Sequence, residues 1–392
     1  MTSPIELVAP EILKSVVEGV KRSRELPVRP LETPLGSLAG KKSNDVAQVA
    51  ATIIRDLLFV DIKNTFDVIC NLYRSRSSAS EADHWVRLAG EIAEHNLTVW
   101  TQAGAILQLE LMDRIRGFSV AERGELKALI VPVLRHVLAT ELSETTWDFD
   151  CVTFHRGEIA PSDLLRRLRQ DVITILHEYD AAVGDDKERA ELIDMFSAAM
   201  KLRSASPSPP PDLAAIVYAN AVEIVGCFTL QVQRWPFELR QKVEHNLLWK
   251  YRHHGKSPPP ELTNDAAERA RVELVQAIHT FRAKVNEEAA FTTYKLLVGF
   301  QSVFPPAWDD SKFDHVAEEA YRKAEVENVV ARIDADNAVE WLAPIRRCAA
   351  TKSDDLATFP MFTYFLERLA VVKSLTRNSV MFGVCPCESS HH

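Results

Sequence analysis

The chain has 392 residues, 46% apolar and 26% charged, a globular balance that excludes wholesale disorder. Its 13 glycines are about half the usual share of ~7%, too few for the turns, bulges and phosphate loops of doubly wound sheets, sandwiches and barrels. Fifty-five acids against 46 bases give a net charge of −9, without the excess of Lys and Arg from which duplex-binding proteins draw their affinity.

The first twenty residues carry Glu6, Glu11, Lys14 and Glu18, which interrupt the apolar core a signal peptide needs. No window approaches ~18 consecutive apolar residues, so no membrane span is expected and the chain reads as cytoplasmic. Residues 1–42 read as an N-terminal arm with a basic, proline-containing linker. Prolines then cluster at 207–211, 258–260 and 305–306, and each cluster cuts the chain because proline lacks the backbone N–H and clashes with the preceding turn. Residues 204–211, rich in Ser and Pro, form the expected linker between an N-terminal helical domain (43–203) and a C-terminal one (212–380), with a flexible tail over 381–392.

Between these breaks the apolar spacing is helical. After the Ser-rich break at 75–80, Glu81 and Asp83 stand where first-turn acids belong. Ser119 and Glu122 have capping-box spacing ahead of a stripe of Leu126, Leu129, Ile130, Val133, Leu134, Val137 and Leu138, predicting one helix over 119–141. Residues 146–160 are the sole extended candidate, and no alternating run bounded by Asn-Gly, Asp-Gly or Gly-Gly predicts a hairpin. A helix over 161–180 follows, with Pro161 in its first turn. Asp185-Asp186-Lys187-Glu188 and Ser353-Asp354-Asp355 read as helix starts. The span 263–303 is long, with a restart at Asn286-Glu287-Glu288, and a last helix begins near Thr358. The sum is about fourteen helices, a pair about every 40 residues, which is similar in size to HEAT-type repeats although no fixed pattern recurs. The expected fold class is all-α: a multi-helix array, either an irregular HEAT-like α-solenoid or a two-part helical bundle.

The candidate chemistry is sparse. Asp309, Asp310 and Asp314 are the strongest metal-binding candidates. Together with Asn264-Asp265-Ala266-Ala267-Glu268 they resemble the two Mg²⁺ motifs of terpene synthases, but the order of the motifs is reversed and Glu268 replaces a hydroxyl residue. Asp309 to Ser311 after the proline pair also suit a helix N-cap. Glu81 and His84 have the spacing of a di-iron ligand pair without the second pair such a site requires. His177-Glu178 lacks the further histidine of a zincin motif. His253 and His254, in an expected loop, are the catalytic candidates, and no nucleophile motif or phosphate loop accompanies them. Cys70, Cys151, Cys227 and Cys348 are scattered like reduced core thiols. Cys385 and Cys387, one residue apart beside His391 and His392, lack the second pair of a zinc site. No cofactor is expected.

The candidate partner-binding residues are Trp235, Phe237 and Trp308, rings beside proline at helix junctions, and Arg166, Arg167 and Arg169, a basic run within a helix. Packing at helix corners is the competing role for the rings, and a solvated face for the arginines. The functional expectation is a helical scaffold or sensor module that binds another protein, one arm of a larger assembly such as a bacterial defence or signalling complex. An all-α enzyme with dispersed acid, His or Mg²⁺ chemistry is the first alternative. A nucleic-acid-binding solenoid, working through residues 14–42 or 166–169, is the second.

Overall fold

The computed structural model describes residues 11–12, 14–18, 54, 62–95, 102–148, 151–202, 210–255, 264–298, 301–309, 314–334, 336–351 and 360–374. The chain folds as an all-α multi-helix array, with fifteen α-helices bounded among those residues. It separates into two compact units: Met1–Ile224 with Pro259–Arg271, and Val225–Pro258 with Val272–His392. Most of the expected 204–211 linker lies outside the described residues.

The first unit opens with α1 (Ile62–Arg74), α2 (Ala79–His95) and α3 (Gln102–Gly117). In α1, Ile62, Phe66, Ile69, Cys70 and Tyr73 recur at three- and four-residue spacing, so one face is apolar and all five side chains are buried. The expected 119–141 helix is split into α4 (Val120–Glu125) and α5 (Lys127–Val137), with the break at Leu126, two residues after Gly124, a weak helix former. The capping box forms as expected: Ser119 Oγ accepts from the Glu122 N–H, and the Glu122 carboxylate accepts from the Ser119 N–H at 2.9 Å. The whole predicted stripe from Leu126 to Leu138 is buried despite the break.

A two-stranded antiparallel ribbon interrupts the helices: its second strand lies within the expected extended stretch 146–160, while the hairpin pairing itself was not expected. β1 (Glu141–Asp148) pairs with β2 (Cys151–Glu158), from Glu141 opposite Glu158 to Asp148 opposite Cys151. The composition carried this signal where no glycine turn did: Thr145, Thr146 and Trp147 face the register of Val152, Thr153 and Phe154, all β-branched or aromatic residues.

Next come α6 (Asp163–Ala182), capped by Ser162, and α7 (Asp186–Ala199), capped by Asp185 at the predicted start. Ile159, Leu165, Leu213, Ile216 and Val217 form a buried cluster beside α6 and α8 (Pro211–Gln231). Pro211–Arg234 is long and apolar enough to cross a membrane, although no span was expected from the sequence. Slightly more than half of its most apolar window (56%) is buried within the protein, and a core helix passes the same test.

In the second unit, a 3₁₀ turn (Val232–Arg234) leads to α9 (Phe237–Lys250), which ends in a π-turn at Tyr251–Gly255. α10 (Asp265–Val285), α11 (Ala289–Val298), a 3₁₀ turn (Gln301–Val303), α12 (Pro306–Asp309), α13 (His315–Ala331), α14 (Leu342–Ala350) and α15 (Pro360–Ser374) complete the chain. α11 and α13 pack against each other, and α15 packs on both.

Candidate functional site

Several expected site residues lie in the protein's interior. Trp235 and Phe237 are 3% and 7% exposed at the junction into α9. Trp235 meets Phe228 edge-on at 5.3 Å, and Phe237 meets Phe291 edge-on at 5.5 Å. Arg240 locks this corner: Nε donates to the Trp235 carbonyl at 2.8 Å, Nη2 to the Gln233 carbonyl at 2.6 Å and Nη1 to Glu288 at 2.6 Å. Trp308 is fully buried, its indole N–H donating to the Ser302 carbonyl at 3.0 Å while the Arg282 guanidinium lies over its ring at 4.7 Å. None of the three rings presents an open face to a partner.

The basic run divides in the same way. Arg166 and Arg167 face solvent, paired with Asp163 and with Asp113 respectively. Arg169 is fully buried. Its Nε donates to Asn220 Oδ1 at 2.9 Å, Nη1 to the Leu138 carbonyl at 2.5 Å and Nη2 to the Ala199 carbonyl at 2.5 Å. The cation therefore satisfies carbonyls at the C-terminal ends of α5 and α7, where helix dipoles are negative.

Asp310 lies outside the described residues, and Asp309 closes the four-residue α12. The observed cap is Asp314, which accepts from the Val316 and Ala317 N–H groups at the start of α13. Glu81 is also structural: its carboxylate accepts from the Ser77 N–H and hydroxyl at 2.9 Å and from the Trp85 indole at 3.4 Å. Among the described residues, no three His, Cys, Asp or Glu side chains converge on a metal-sized position. Burial pushes the Cys70 thiol up to about 12 and the Cys348 thiol up to about 11, so neither is a nucleophile at neutral pH.

His253 has a different setting. It lies in the π-turn at the end of α9, exposed, and stacks on Trp249 with ring centroids 5.7 Å apart and planes 19° apart. One turn before Trp249, His245 accepts the indole N–H on Nε2 at 2.9 Å. That bond requires the neutral imidazole with its proton on Nδ1, and burial holds the His245 pKa below its ordinary value against the opposing pull of Glu244. The Arg252 guanidinium lies 5.9 Å from the indole centroid. Trp249 is still 42% exposed. An α-helical repeat of four residues thus places one imidazole on the face of the indole and the other edge-on at its N–H, and the π-turn adds the arginine beside it. The four residues are near neighbours in sequence, and the readable signal was Trp249 at four-residue spacing from both His245 and His253. The side chain of His254 lies outside the described residues.

No family model, curated protein or solved structure matches the chain.

Proposed function

We propose that the chain is an α-helical interaction module that binds a partner protein through the surface around Trp249. The observation that carries this reading is the indole itself, held by His245, His253 and Arg252 yet 42% open to solvent. Truncation studies of interfaces find most binding energy in a few Trp, Tyr and Arg side chains. A ring already fixed by its neighbours loses little further freedom on association. The complementary partner surface is an apolar pocket for the ring with carboxylates or carbonyls at its rim for Arg252.

The test is native mass spectrometry of the full chain purified from its own source, wild type against Trp249→Ala. The expected result is one protein bound at fixed stoichiometry to the wild type and lost from the variant, with the melting temperature of the isolated chain changed by no more than about 2 °C. The same partner bound equally to both, or none bound to either, overturns the reading.

A further inference from the structure

A cavity of about 440 Å³ lies in the second unit, among α10, α11, the Gln301–Val303 turn and α13. Its size is that of small-molecule sites, roughly 300–1,000 Å³. Arg282 stands in the last turn of α10 and Asn286 just beyond its end, and Lys295, Ser302, Glu325 and Arg332 come from the other walls. Three of these groups are cationic. Lys295 is matched behind the wall by Glu244 at 2.8 Å, and Glu325 adds a negative charge to the described lining.

Two of the lining residues carry a buried polar atom without a hydrogen-bond partner among the described residues. Ser302 is 2% exposed, and its hydroxyl is unpaired. Asn286 Oδ1 is buried and unpaired too, although the amide is oriented by its Nδ2, which donates to Glu244 at 2.8 Å and to the Arg282 carbonyl at 2.7 Å. Buried polar groups in native proteins are nearly always satisfied, and an unpaired one in a cavity wall marks a place where something else supplies the bond.

We propose that this cavity binds a small molecule through an oxyanion, a carboxylate or a phosphate, held by the guanidinium groups of Arg282 and Arg332. Ser302 Oγ and Asn286 Oδ1 take hydrogen bonds with a hydroxyl on the same molecule. The site shares no residue with the Trp249 surface and stands or falls independently of it.

The test is isothermal titration of the full chain with glycerol 3-phosphate and, separately, with malate, each against sodium chloride at equal ionic strength. The two probes carry a hydroxyl on a phosphate and on a carboxylate skeleton, so the one that binds identifies the oxyanion. The expected result is saturable binding of one equivalent, weakened about fivefold by Ser302→Ala and at least about tenfold by Arg332→Gln. Arg332 is exposed, and Ser302 Oγ makes no bond to lose, so both variants keep the fold even if Arg282→Gln, which uncovers Trp308, does not. Without ligand, Ser302→Ala melts no lower than the wild type, because it removes an unsatisfied hydroxyl. No binding of either probe beyond the chloride control overturns the proposal, and so does binding that both variants leave unchanged.

Discussion

Lys295 and Glu244 form an ion pair sealed inside the second unit, with Nζ 2.8 and 2.9 Å from the two carboxylate oxygens and Glu244 fully buried. Burial pulls the lysine's pKa down, and the carboxylate opposes it. A pair of this kind contributes little over an apolar replacement, but a lone survivor is costly. Lys295→Met is therefore expected to cost about 3–5 kcal/mol by leaving the carboxylate uncompensated, while Lys295→Met with Glu244→Leu recovers most of that loss. Denaturant unfolding of the three proteins checks this, and equal losses in the single and double variants would contradict it.

Arg169 plays the corresponding part in the first unit, where burial lowers its pKa to about 10 and leaves it charged at neutral pH. Its fork joins two carbonyls and the Asn220 amide from three different helices. Lysine has a point charge in place of that planar fork, so Arg169→Lys should destabilise almost as much as Arg169→Met, each by about 3–5 kcal/mol. Thermal unfolding reads the difference, and a lysine variant as stable as wild type would show that charge alone suffices.

The helical class and many of the helix starts were legible in the sequence because they depend on local physics. Ser119 and Glu122 cap by spacing alone, and Asp185 caps α7 where an acid cluster meets an apolar stripe. The extended stretch 146–160 was legible from its β-branched and aromatic residues, but its pairing with 141–148 was not, because no Asn-Gly, Asp-Gly or Gly-Gly turn marks the hairpin. The fate of a basic residue was not legible either: Arg166 and Arg169 lie three apart in one run, and only the approach of Leu138, Ala199 and Asn220 puts the second in the core. The same limit hid the cavity, whose walls come from separate elements between His279 and Arg332 with no recurring motif. Trp249 is the exception, a local arrangement in which His245 and His253 stand at four-residue spacing on either side of the ring in sequence.

The two tryptophans make opposite predictions. Trp308→Ala empties a fully buried site and removes the indole beneath Arg282, a change expected to cost about 3–5 kcal/mol. Trp249→Ala removes a ring that is 42% exposed and should cost no more than about 1 kcal/mol. Urea unfolding of both variants separates the roles, and a large loss in Trp249→Ala would recast that indole as a structural residue.

The pH dependence of stability should turn on His177. This half-buried ring on α6 packs against Phe196 with centroids 4.8 Å apart, and its Nε2 is buried with no hydrogen-bond partner among the described residues. Burial lowers its pKa from 6.5, against the pull of Glu223 and Asp180. The unfolded chain protonates this side chain as pH falls through about 6.5, while the folded chain keeps it neutral to a lower pH. Between those points the unfolded state binds more protons, so stability falls with falling pH. His245 in the second unit is shifted in the same direction, whereas Glu318, raised by burial, acts in the opposite one. The test is therefore the difference between variants: melting temperatures at about pH 7.5 and about pH 5.5 should drop less in His177→Leu than in the wild type. His245→Gln, which can still accept the Trp249 indole N–H, should lessen the drop further when combined with it. An unchanged drop in the double variant would place the acid sensitivity on the carboxylates instead.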